Sequence, residues 1–127
     1  MNEIRPNLVF VPYRNDAHTD HEVTYDCAVS CTKSFRYPFI RRVLAYETIS
    51  ETDYGMKPDG VGFRPNLFVD IGENIEEKLK IFSVFESEKG EFPFPRSDQA
   101  IKALAQLRGT QSNVKAAEAF MILKEIY

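Results

Sequence analysis

The chain has 127 residues, 43% hydrophobic and 28% charged, with 19 acids against 16 bases. This is the composition of an ordinary globular domain and excludes a disordered or fibrous chain; a net charge of -3 also speaks against a protein that grips phosphate backbones, so no nucleic-acid partner is expected. There is no run of about 18 apolar residues for a membrane span and no apolar signal segment in Asn2-Glu3-Ile4-Arg5-Pro6, which makes one cytoplasmic domain the expectation.

Leu8-Val9-Phe10-Val11, closed by Pro12, is a continuous apolar run and reads as a strand covered on both faces, central in a parallel sheet. Such a strand needs neighbours on both sides, and almost nothing precedes it. The next stretch, Asn15-Asp16-Ala17-His18-Thr19-Asp20-His21-Glu22, holds both histidines of the chain. It lies where strand gives way to helix, the position of ligand crevices in open α/β sheets.

Thr19-Asp20-His21-Glu22 has capping-box form and predicts a helix over 20–36. Val23, Cys27, Ala28, Cys31 and Phe35 would form its buried face, and Pro38 would stop it. Cys27 and Cys31 read as small buried hydrophobes, because a metal or redox role has no partner cluster in the sequence. A second strand is predicted at 42–48, following the helix as a βαβ crossover would, with Glu47 and Ser50 at the crevice end. Residues 51–65, punctuated by Gly55, Pro58, Asp59-Gly60, Gly62 and Pro65, form a loop long enough to wall or cover a site.

A third strand is predicted at 67–71, and Ile75, Leu79, Phe82 and Phe85 predict a helix to about Glu88. Phe92-Pro93-Phe94-Pro95 is expected to cross the surface in extended form as a rigid connector. Ser97 is the expected cap of a helix carrying Ile101, Leu104, Ala105 and Arg108, with Gly109 as its stop. Val114, Ala117, Phe120, Met121, Leu123 and Ile126 predict a last helix. The fold class expected is α/β, Rossmann-like, with a small, mainly parallel sheet and flanking helices.

The His-Asp-His window suits a zinc hydrolase, which needs imidazole or carboxylate ligands and an open coordination position. His18 and His21 both reach one spot, and Asp20 can orient a ring from the turn before the helix. The alternative reading is a set of polar turn residues with Thr19 and Glu22 capping. A complete zinc site takes about three protein ligands; this window offers one or two, and the chain has no third histidine.

Asn15-Asp16-Ala17-His18-Thr19-Asp20-His21 resembles a metal-site motif of the LmbE-like, or PIG-L-type, zinc-dependent N-deacetylases. Tyr46-Glu47 with Ser50, Phe63-Arg64-Pro65-Asn66, Phe68-Val69-Asp70-Ile71, Pro95-Arg96-Ser97, Arg108-Gly109 and Ala117-Glu118-Ala119-Phe120 follow in that family's order. The resemblance implies hydrolysis of the acetamide of an N-acetylglucosamine-type sugar. It implies His21 as zinc ligand, His18 as acid or oxyanion stabiliser and Asp20 as its orienting carboxylate. Glu47 and Arg96 are implied as substrate contacts, with an ion pair bracing the proline-rich connector as the alternative for Arg96.

Family members open with a strand and a His-Pro-Asp-Asp motif that this chain lacks. The resemblance therefore implies a single domain forming the C-terminal half of a LmbE-like fold, inactive alone, with the N-terminal half as its partner. The exposed flank of the first strand predicts a homo-oligomer or a domain-swapped assembly in isolation. The reading from a different class is a non-catalytic binding or interaction module that retains the fold.

Overall fold

A computed structural model describes residues 1–58 and 60–127; Asp59, read above within the 51–65 loop, lies outside the described residues. The elements in chain order are β1 (Leu8–Pro12), α1 (Thr19–Ser30), β2 (Arg42–Tyr46), β3 (Leu67–Asp70), α2 (Ile75–Phe82), a 3-10 turn (Glu86–Glu88), α3 (Asp98–Ser112) and β4 (Ala117–Glu125). None of the described helices is long and apolar enough to cross a membrane. The fold is mixed α/β, with strand order β1-β2-β4-β3. Two compact units emerge, Met1–Leu67 with Phe120–Tyr127, and Phe68–Ala119.

In the first unit β1 and β2 run parallel, in register from Leu8↔Arg42 to Pro12↔Tyr46. Parallel neighbours cannot be joined by a tight turn, and the crossover between them carries α1. β4 lies antiparallel to β2, from Arg42↔Glu125 to Tyr46↔Phe120, with an irregularity at Val43/Leu44. The core is Val11, Ile40, Val43 and Ala45, against which Tyr25 and Ala28 of α1 pack. Val11 and Ile40 are fully buried, each contributing about 1.5–3 kcal/mol by leaving water.

Several expectations need correction here. The sheet is mixed rather than mainly parallel: β1 and β2 are a parallel pair, whereas β4 opposes β2. It also opposes β3, since Asn66 N–H donates to Phe120 O and Ile71 N–H to Ala116 O. The cause is β4 itself, predicted as a helix. Its apolar residues satisfy both helical spacing and a buried strand, and periodicity does not separate the two in a short run. Pairing decides, with Asn66 Oδ1 accepting from Ile122 N–H at 2.8 Å. β1 is an edge strand with Phe10 half exposed, not a strand covered on both faces.

α1 begins where predicted, yet His18 is its N-cap, no side chain caps it, and it ends at Ser30. Ser30 Oγ donates to Cys27 O at 2.7 Å and Thr32 Oγ1 to Val29 O at 2.8 Å, the local bonding by which hydroxyl residues compete with continued helix. Most of the predicted buried face is turned outward: Val23, Cys27 and Phe35 are exposed. Of that face Ala28 does pack against the core, joined by Tyr25.

In the second unit α2 and α3 contribute buried Leu79, Ile101 and Ala105. Ser97 caps α3 as expected, its Oγ accepting from Ala100 N–H at 3.2 Å. Gly109 does not stop the helix. It sits inside α3 because a Cβ there would lie 2.6 Å from Val114 O and 3.0 Å from Ala116 Cα. The stop is Asn113, in the left-handed region at φ 59°. α2 ends at Phe82, short of the predicted Glu88, and residues 91–97 are turned rather than extended, with Phe94 N–H donating to Glu91 O.

Candidate functional site

Parallel pairing places the carboxyl ends of β1 and β2 side by side. Pro12 is opposite Tyr46, and Tyr13 N–H donates to Tyr46 O at 3.0 Å. The loop after β1 (13–18) and the turn after β2 (47–52) therefore leave the same sheet edge together, the arrangement that forms ligand crevices in α/β sheets. They are stitched by Ala17 N–H to Glu51 O at 3.0 Å.

At the centre is Asp16, only 1% exposed. A carboxylate so placed must have its oxygens satisfied, and both are. Oδ1 accepts from Thr52 Oγ1 at 2.7 Å, and Oδ2 meets His21 Nδ1 at 2.7 Å. Thr52 Oγ1 in turn accepts from Thr48 N–H at 2.8 Å. The 48–52 turn is closed by Glu51 and Thr52 N–H groups on Thr48 O, with Ser50 at φ 75°. With Nδ1 engaged, the ring of His21, in the first turn of α1 and partly exposed, has Nε2 left to bind a metal or exchange a proton.

His18 and Asp20 sit at the rim, with side chains 52% and 82% exposed and His18 Nδ1 3.8 Å from Asp20 Oδ2. That distance is too long for a hydrogen bond. The two imidazole rings are 5.5 Å apart between centroids, so the window does bring both histidines together. The tightly held carboxylate is Asp16 on His21, not Asp20 on His18. Sequence reasoning passed over that pairing, although an aspartate directly before a His-rich helix start was its signal.

Glu47 is half-buried at the end of β2, on the same edge as His21. Arg96 belongs to the second unit. Its Nη1 donates to Glu88 Oε2 at 2.6 Å, and its guanidinium lies over Phe94, which is the bracing role for the proline-rich segment.

A band of charge fastens the loop to α1. Arg14 bridges Asp26 at 2.7 Å and Glu22 at 3.0 Å, and Lys57 reaches Glu22 at 2.7 Å. The hydrogen bond from Arg14 holds the Asp26 carboxyl below its ordinary range, and that from Lys57 does the same for Glu22. Asp26 in return raises Arg14. Glu22 is thus an ion-pair residue rather than half of a capping box.

Described residues of the 51–65 segment pack against the loop after β1. Tyr13 hydroxyl donates to Val61 O, Asn15 Nδ2 donates to the same oxygen at 3.3 Å, and Tyr13 and Phe63 meet edge to face at 5.4 Å. Gly55 comes so close that a Cβ would lie 2.5 Å from Asn15 O. The cleft between them is about 60 Å³, room for water rather than a sugar.

Zinc was the expected cofactor. His21 is oriented through Nδ1 by a buried carboxylate, the hydrogen bond that commonly orients a metal-binding imidazole. The described residues contain no group of three or more His, Cys, Asp or Glu side chains suited to a metal. The chain thus fits one corner of a zinc site, with Asp16 behind it.

No family model and no curated protein matches the chain. Among solved structures it is similar to the conserved protein TT1542 from Thermus thermophilus, at a TM-score of 0.70 and 22% identity. The match covers 98% of this chain and 55% of that one. The likeness establishes a shared fold, and the chain spans little more than half the length of that protein.

Proposed function

We propose that this chain is the C-terminal portion of a cytoplasmic, zinc-dependent N-deacetylase of LmbE-like, Rossmann-like architecture, acting on the acetamide of an N-acetylglucosamine-type sugar. The observation that carries the proposal is the buried Asp16 carboxylate holding His21 Nδ1 at 2.7 Å at the carboxyl edge of a parallel strand pair. The His-x-Asp-His sequence and a longer chain of the same fold add support.

In this reading zinc, when bound, supplies Lewis acidity toward the acetyl carbonyl. His21 offers Nε2 as one ligand, and Asp16 orients it. His18, at the rim beside it, holds or delivers a proton at the leaving amine or steadies the developing oxyanion, with Asp20 nearby. Glu47 takes a sugar hydroxyl. For Arg96 a substrate contact is what the resemblance alone implies. The other zinc ligands and the general base come from the N-terminal half, which pairs along the free flank of β1.

Acetate release on mixing the two halves tests the assignment. His18→Ala in the reconstituted enzyme should lower turnover by about 10²–10⁴, and undiminished turnover refutes the role. The exposed edge strand with half-exposed Phe10 favours a second reading, an interaction module that associates through β1 with a partner or with itself. Failure of the N-terminal half to restore zinc binding or turnover, with a self-associated chain on gel filtration, selects that reading.

A further inference from the structure

The hydrogen-bond chain that ends on His21 fixes where each proton sits. The backbone N–H of Thr48 can only donate, so Thr52 Oγ1 accepts from it at 2.8 Å. The single hydroxyl proton of Thr52 is then directed at Asp16 Oδ1, 2.7 Å away, and makes that oxygen an acceptor. The second oxygen faces His21 Nδ1 at 2.7 Å. A carboxylate oxygen can only accept, so a 2.7 Å contact of this kind calls for the proton on nitrogen. His21 therefore carries its proton on Nδ1.

We propose that Thr52 is a positioning residue: oriented by the Thr48 amide, it locks Asp16 as an acceptor on both oxygens and so holds His21 in the Nδ1–H tautomer, with Nε2 presented as an electron-pair donor to a divalent cation. The use of that nitrogen rests on the zinc reading above; the tautomer does not. The surrounding turn is over-determined, as a device of this kind requires. Thr48 O accepts from both Glu51 and Thr52 N–H, Glu51 O accepts from Ala17 N–H, and Ser50 is held at φ 75°. A residue kept in the left-handed region without being glycine signals a conformation that its neighbours impose.

Thr48 supplies the internal control. Its own Oγ1 is buried with no partner among the described residues, so Thr48→Val removes an idle hydroxyl while leaving the backbone donor in place. Thr52→Val removes the link itself with little change of shape, and Thr52→Ser restores the hydroxyl.

The experiment is long-range proton–nitrogen correlation of the ¹⁵N-labelled chain with the histidines neutral. In the unsubstituted protein His21 should show a protonated Nδ1 and an unprotonated Nε2. Thr52→Val should move both nitrogens toward averaged, mixed-tautomer positions, while Thr52→Ser and Thr48→Val should retain the original pattern. An Nε2–H tautomer in the unsubstituted chain, or unchanged nitrogens in Thr52→Val, overturns the proposal. A competition titration with zinc alone, on the chain reconstituted with the N-terminal half that supplies the other ligands in that reading, separates the two readings. Zinc binding weakened about tenfold in Thr52→Val supports both, whereas an intact Nδ1–H tautomer with no zinc binding removes the zinc reading and leaves the positioning role standing.

Discussion

Replacing Asp16 by asparagine alters one atom of a side chain that is 1% exposed and accepts two contacts of 2.7 Å. Asparagine has one acceptor and one donor where the site demands two acceptors. If its oxygen faces His21, its amide opposes a Thr52 hydroxyl that already accepts from Thr48, and the hydroxyl proton is stranded. If the amide is flipped, His21 must accept at Nδ1 and carry its proton on Nε2, the nitrogen a metal would use. Bonds to a charged group contribute about 1.5–3 kcal/mol each and neutral ones about 1. Exchanging two of the first for two of the second, with one poorly directed, costs about 2–4 kcal/mol. For a domain of this size that is a fall in Tm of roughly 8–16 °C, and zinc affinity of the chain reconstituted with its N-terminal half should drop about 10–100-fold. Thermal unfolding by circular dichroism and zinc competition measure the two effects. An Asp16→Asn chain melting within about 2 °C of the parent would refute the stability estimate at its source, the charge-assisted pairing.

Ser50→Gly should stabilise the chain by about 1 kcal/mol, because glycine meets φ 75° without the Cβ penalty; a loss on denaturant unfolding contradicts the strain assigned to this turn. Gly109→Ala should destabilise by about 1–3 kcal/mol. Alanine gains about 1 kcal/mol of helix propensity, but its Cβ would lie 2.6 Å from a backbone oxygen that cannot swing aside, and a raised Tm would show that α3 shifts freely.

The Glu22 and Asp26 carboxyls are held below their ordinary values of 4.5 and 3.8. Their contribution is therefore complete above those values and is lost as pH falls through the lower folded-state values. A Glu22→Gln, Asp26→Asn double variant should lose less Tm than the parent between about pH 5 and pH 2.5, and parallel curves would exclude the linkage.

Local chemistry made parts of the fold legible in the sequence. The β1 run closed by Pro12, the start of α1 after a His-rich loop, the β2 stretch and the Ser97 cap each follow from a residue type with one dominant preference. What misled was periodicity without a partner. Ala117-Glu118-Ala119-Phe120-Met121-Ile122-Leu123 fits a helix or a strand, and only β2 and Asn66, distant in sequence, select the strand. The stripe of Val23, Cys27, Ala28, Cys31 and Phe35 looked like a core face, but of it Val23, Cys27 and Phe35 are exposed and the core takes Ala28 together with Tyr25. At the site, two histidines in a short loop were visible as a cluster. The carboxylate that holds one of them was not separable from Asp20, because the choice depends on Thr52, brought across by the parallel pairing of β1 and β2.

That crossover also limits how far the site can be reduced. A synthetic peptide spanning the β1–α1 loop and its helix contains every imidazole of the protein, yet lacks the hydroxyl and amide that discipline Asp16. Such a peptide would behave as a floppy chelator with interchangeable ring nitrogens. Any fragment meant to reproduce the native histidine must hold at least the whole strand–helix–strand with its following turn, residues 8–52, so miniature mimics of this centre must import its topology along with its residues.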